Sequence, residues 1–108
     1  MKKLKNIHPG EVLKEEFLKP YKISAYKLSK ITGLPQSRLS EIIKGRRSIT
    51  ADTAVSLSAY FGNSAGFWLS LQIEYDLENI YEDKKDMILA IKEKSPVYKS
   101  QSKIAEPK

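Results

Sequence analysis

Between Gln36 and Arg47 stand side chains suited to hydrogen-bonding a nucleic acid: Gln36, Ser37, Arg38, Ser40 and Glu41, then Lys44, Arg46 and Arg47. A glutamine pairs bidentately with adenine N6 and N7, an arginine with guanine O6 and N7, a serine with either kind of base, and a glutamate accepts from cytosine N4. Gln36, Ser37, Arg38, Ser40 and Glu41 are therefore the candidate base contacts. Lys44, Arg46 and Arg47, together with Ser24 and Lys27, are the candidate phosphate contacts. Ser24 joins them because a hydroxyl and free backbone N–H groups at a helix start hold an anion without a formal charge. Residues 20–50 carry seven basic side chains against one acid, Glu41. That acid is the outlier, since a carboxylate repels phosphate unless it accepts from cytosine or pairs with a neighbour such as Arg38.

Catalytic chemistry finds little to work with. The sole histidine, His8, stands beside Pro9 at a helix start, where a structural role fits better than catalysis. Glu15 and Glu16 are adjacent and so face different ways on a helix, unlike an acid/base pair. No phosphate-binding glycine loop, dinucleotide fingerprint or nucleophile elbow occurs. With no cysteine, a disulfide framework, a cysteine zinc site, an iron–sulfur centre and a thiol nucleophile are all excluded. The expectation is a non-enzyme with no cofactor, no metal and no small-molecule substrate.

The elements that must position the polar cluster are short helices. Pro9 and Glu11 open the first, in which Leu13 and Phe17 fall four apart before Pro20 stops it. Ser24 caps a second, carrying Leu28 and Ile31 and ended by Gly33. Pro35 opens a third, where Leu39, Ile42 and Ile43 recur at helical spacing before Gly45. At about 100° per residue this apolar trio points one way, while Ser37, Ser40, Glu41 and Lys44 point the other, flanked by Gln36 and Arg38. Two short helices around Thr32, Gly33 and Leu34 make a helix-turn-helix, whose second helix enters the DNA major groove.

Thr50 caps a fourth helix with Ala54, Leu57, Ser58 and Phe61 on one stripe before Gly62. Ser64 caps the fifth and longest, which is apolar on two sides. Phe67, Trp68, Leu71 and Tyr75 form an inner stripe, whose aromatics suit a core better than a base-stacking platform. Leu69, Ile73, Leu77 and Ile80 form an outer one. A small core cannot cover both, so the stripe left outside is an expected protein–protein surface. The domain reading is a basic arm over 1–7, a DNA-binding domain with its dimerisation helix over 8–82, an extra helix over 83–94 with Met87, Ile88 and Ile91 as its apolar edge, and a flexible tail over 95–108.

The chain has 108 residues, enough for one domain, and a formal net charge of +6. Its charge is segregated: residues 1–50 hold twelve basic and four acidic side chains, whereas residues 51–90 hold two and seven. The basic half favours a polyanion. No apolar run approaches a membrane span and no signal-peptide pattern follows Lys2, Lys3 and Lys5, so a cytoplasmic protein is expected.

The residues resemble a known family. His8-Pro9-Gly10-Glu11 with Leu13, Gly45-Arg46-Arg47-Ser48-Ile49, Phe61-Gly62, Trp68-Leu69-Ser70-Leu71-Gln72 and Tyr75-Asp76-Leu77 are similar to the HigA-type antitoxins, small members of the phage-repressor-like (Xre) helix-turn-helix superfamily. The likeness covers residues 7 to 80. It implies an all-α, five-helix repressor-like domain with a helical extension. It also implies a homodimer that represses its own operon at a palindromic DNA operator and neutralises a RelE-like (HigB-like) mRNA-cleaving toxin by direct binding. Ser56 departs from the pattern, since relatives often carry arginine there. The acids of residues 74–86 are expected to attract the basic toxin. Two rivals stand beside this reading: a stand-alone repressor without a toxin, and a helical adaptor using the fifth helix alone.

Overall fold

Left-handed glycines and serine caps punctuate the chain much as the pattern of turn residues requires. In the computed structural model, which describes residues 6–97, six helices and no strand occur among the described residues. The first, α1, is one continuous run over residues 9–21. It is followed by α2 (Ala25–Thr32), α3 (Gln36–Ile43), α4 (Ala51–Phe61), α5 (Ala65–Asp83) and α6 (Lys85–Glu93). Ser24 Oγ accepts from Lys27 N at 3.0 Å and Ser64 Oγ from Phe67 N at 2.9 Å, capping α2 and α5. Gly33, Gly45 and Gly62 hold φ of 81°, 79° and 80°, a region that only glycine enters cheaply.

α1 departs from the expected stop at Pro20. It passes through the proline to Tyr21 because its middle, Leu13–Leu18, is wound as a π-helix between the α-helical turns Pro9–Val12 and Lys19–Tyr21. Lys19 N donates to Lys14 O, five residues back. In a regular α-helix the Pro20 ring would press on the carbonyl four residues earlier; the wider turn relieves that clash.

The core is assembled from all of the first five helices. Leu13, Leu28, Leu39, Ile42, Ala54, Leu57 and Trp68 have no exposed surface, and Leu18, Leu34 and Ile49 complete the cluster. Phe17 stacks against it, its ring centroid 4.9 Å from those of both Phe61 and Trp68. The Trp68 indole N–H donates to Asn63 Oδ1 at 3.0 Å, so its polar edge is satisfied.

Three local expectations are corrected. Ile31 is 45% exposed and falls in a shallow cleft with Val55 and Tyr60; the connection supplies Leu34 to the core instead. Thr50 stands at the N-cap of α4 but makes no side-chain cap bond. On α5 the stripes are shared out differently, because Trp68 and Gln72 take the buried centre line. Leu69, expected outside, packs beside Leu71 on the core, while Phe67, expected inside, sits at the rim.

The chain divides into two compact units whose boundary falls within α5, Met1–Asp76 and Leu77–Lys108. The extra helix expected near 83–94 is α6, with Met87, Leu89 and Ile91 exposed. Most of the expected basic arm and tail, residues 1–5 and 98–108, lies outside the described residues.

One close approach sets the position of α3. Gly10 is buried, and a Cβ added to it would collide with the carbonyl oxygen of Ile42. Gly10→Ala should therefore lower stability by about 1–3 kcal/mol, read as a fall in the unfolding midpoint, although alanine is the better helix former.

Candidate nucleic-acid interface

The turn between α2 and α3 is held by its own short side chains. Gly33 N donates to Ser29 O at 2.9 Å, Ser29 Oγ to Leu34 O at 2.7 Å, and Thr32 Oγ1 to Leu28 O at 2.7 Å while accepting from Leu34 N at 3.2 Å. With Leu34 buried, the turn cannot open without exposing that side chain and freeing these groups. Leu39 and Ile42 then fix the rotation of α3, since both are fully buried.

The opposite face of α3 is free to meet a ligand. Gln36 and Ser37 are exposed, Ser40 and Glu41 half-buried, and Lys44 exposed just past the helix end. No large apolar side chain interrupts this face. Ser24, Lys27, Arg46 and Arg47 are exposed as well, so every expected phosphate contact is available to solvent.

Arg38 is placed differently from its neighbours. Its Nη1 donates to Asp52 Oδ2 at 2.8 Å and to Thr53 Oγ1 at 3.4 Å, across to the first turn of α4. It thus pairs with Asp52 rather than with Glu41.

The basic loop after α3 rests on a polar scaffold from distant parts of the chain. Gly45 N donates to Ile42 O and Arg46 N to Glu41 O, at 2.9 and 2.8 Å, which bends the chain sharply away from the helix. Ile49 N then donates at 2.8 Å to Oε1 of the buried Gln72, whose Nε2 donates to Asp76 Oδ1 at 3.0 Å. Beneath the loop, His8 accepts from Gly10 N at 2.8 Å through Nδ1 and caps α1. Its ring meets Tyr75 edge-on at 4.9 Å and lies within about 4 Å of where a Gly45 side chain would begin.

Burial holds the His8 imidazole below its ordinary range, outweighing the opposing pull of the Asp76 carboxylate and a hydrogen bond to the Arg47 backbone. Sequence reasoning missed Gln72 and Asp52 as supports. The available signal for Gln72 was its polar type four residues after Trp68, on the stripe meant for the core.

A helix-turn-helix family profile matches residues 14–68 of this chain. Virulence-associated protein I of Dichelobacter nodosus is 47% identical over 79% of this chain and 79% of its own. Among solved structures, an addiction module antidote protein of the HigA family from Coxiella burnetii superposes with a TM-score of 0.76 at 41% identity, covering 81% of this chain and 95% of its own. Antitoxin HigA of Pseudomonas aeruginosa, solved with the higBA promoter, gives 0.75 at 38% identity, covering 78% and 91%.

The chain is a HigA-type helix-turn-helix protein. Membership identifies the fold as the all-α repressor-like domain and assigns the chain to a family of DNA-binding regulators rather than enzymes. Among the described residues, no helix is long and apolar enough to cross a membrane. Within this HigA-type frame, the first family motif becomes a packing device: His8 caps α1, Pro9 fills its buried first position, and Gly10 admits the α3 carbonyl.

His8 also makes stability pH-dependent. Its proton affinity is lower folded than unfolded, so the unfolded chain takes up the proton first as pH falls, and stability present above the usual imidazole range is lost below it. Protonation also removes the Nδ1 acceptor that caps α1. His8→Asn, which keeps a capping oxygen without a titrating group, should show a smaller fall in unfolding temperature than the native protein between about pH 7 and about pH 5.

Proposed function

We propose that this HigA-type protein is a sequence-specific DNA-binding antitoxin: as a homodimer it represses its own operon at a palindromic operator, and it neutralises a RelE-like, mRNA-cleaving toxin by direct binding. The observation that carries the DNA half is the unobstructed polar face of α3, standing on fully buried Leu39 and Ile42 and continuous with Lys44, Arg46 and Arg47. Gln36, Ser37, Ser40 and Glu41 read base edges in the major groove, with Arg38 at their margin. Ser24, Lys27, Lys44, Arg46 and Arg47 hold the phosphates and set the register. A protein that acts on an operator works where the DNA is, in the cytoplasm.

The dimer half rests on α5. Ile73, Leu77 and Ile80 are 57%, 43% and 46% exposed, a large apolar display for a helix of this size. Burial between two copies of this helix removes them from water. A dimer of this kind would read half-sites about one helical turn apart. The antitoxin half rests on the family and on charge: residues 74–86 carry six acids against two lysines, suited to attracting a basic toxin.

Three measurements test these parts. Arg46→Ala with Arg47→Ala should weaken binding to operator and random duplex alike and flatten the slope of log K against log salt by about 1.8; a loss confined to operator would remove their phosphate role. Ile73→Lys with Leu77→Lys should give monomers by light scattering and reduce operator affinity, and a variant still dimeric would refute that interface. Co-expression with the product of the adjacent gene should yield a co-purifying complex that no longer cleaves mRNA in a translation extract; failure to associate would leave a repressor without a toxin.

A further inference from the structure

Arg38 and Asp52 form a pair whose two members are unequally exposed. The Arg38 side chain is 24% exposed and that of Asp52 71%, at 2.8 Å separation. Two acceptors, Asp52 Oδ2 and Thr53 Oγ1, match the two hydrogens of Nη1. Nε is enclosed and has no partner among the described residues, and Thr53 is itself fully buried. The guanidinium is therefore clamped by one edge against the start of α4. Nη2 takes no part in these bonds, and Arg38 follows directly on the exposed Ser37 in α3.

We infer that Asp52 is a specificity-determining positioning residue for DNA recognition: it holds Arg38 in one orientation beside the bases and cancels the charge Arg38 would otherwise offer to any phosphate. The inference rests on the reading of α3 as the recognition helix. Its physical content is a separation of two things an arginine does on DNA. A free arginine follows phosphate wherever it lies, contributing equally on every sequence. An arginine fixed by a carboxylate has lost rotamer freedom before binding, so it loses less on meeting a base placed correctly for it. The exposed Asp52 carboxylate meanwhile disfavours close phosphates that are out of register. Sequence discrimination thus rises from both ends, through a residue that need not touch a base.

The test compares the duplex recovered by in vitro selection with native protein and a random-sequence duplex of equal length. Asp52→Asn should raise affinity for the random duplex roughly eightfold at about 0.1 M salt and steepen its salt slope by about 0.9, as one more phosphate contact would. Affinity for the selected duplex should not rise in step, so the ratio between the two should fall severalfold. Asp52→Glu, which keeps the carboxylate, should recover the ratio. Arg38→Lys, which keeps charge but loses the planar fork, should weaken binding to the selected duplex more than to the random one.

Equal weakening on both duplexes by Asp52→Asn, with a lowered unfolding temperature, would make the pair merely structural and overturn the inference. An unchanged ratio would overturn it as well. Native protein that shows no salt-dependent affinity for either duplex would instead overturn the reading of α3 itself.

Discussion

Complete burial of Leu39 and Ile42 governs this molecule. Two side chains three apart on an eight-residue helix define its rotation about its own axis, and once they are seated among Leu13, Leu28 and Leu57 the remaining positions of α3 have no choice of direction. The polar face is a by-product of that packing. Its residues need no interactions of their own to be presented, which leaves Gln36 and Ser37 available to a ligand. An interface built in this way is rigid where it must be and unpaired where it must react.

The same logic explains why widely separated stretches of sequence belong together. The His8–Glu11 segment, the loop from Gly45 to Ile49 and the Trp68–Asp76 stretch of α5 meet around one point. His8 lies under the loop with Tyr75 edge-on to its ring, Gly10 admits the Ile42 carbonyl, and Gln72 takes the Ile49 N–H that would otherwise be buried without a partner. Arg46 and Arg47 thus project from a bend whose two ends are both anchored. In the proposed complex, phosphate contacts made from this loop would fix the register of the neighbouring helix, a task that a loosely tethered loop of the same charge would perform poorly.

Much of this was legible in the sequence, and the exceptions share a cause. Helical spacing and the glycines at 33, 45 and 62 located the helices, and the polar types on α3 located the face, because these are local properties of the chain. The exposure of Ile31, the burial of Gln72 and the partner of Arg38 escape such local rules for a different reason. Each is decided by a partner far along the chain: the rim near Val55 and Tyr60, the Ile49 backbone, and Asp52 with Thr53. A helical wheel divides apolar from polar, and so cannot see that a glutamine is buried by a hydrogen bond or that an arginine is held by an aspartate on the next helix. Pro20 misled through a local rule that holds for one kind of helix and not for another.

That other kind of helix leaves its own arithmetic in the chain. Leu13 and Leu18 are five residues apart and both buried, a separation that would splay them by about 140° on an ordinary helix. In the wider winding, where hydrogen bonds span five residues, positions five apart come back much closer to the same side. Removing one residue between them would restore the common winding and shorten the interval to four, so the two leucines would still face inward while the Pro20 ring met the carbonyl it now avoids. The extra residue therefore tolerates proline here, and leucines at an interval of five just ahead of a proline are its written trace.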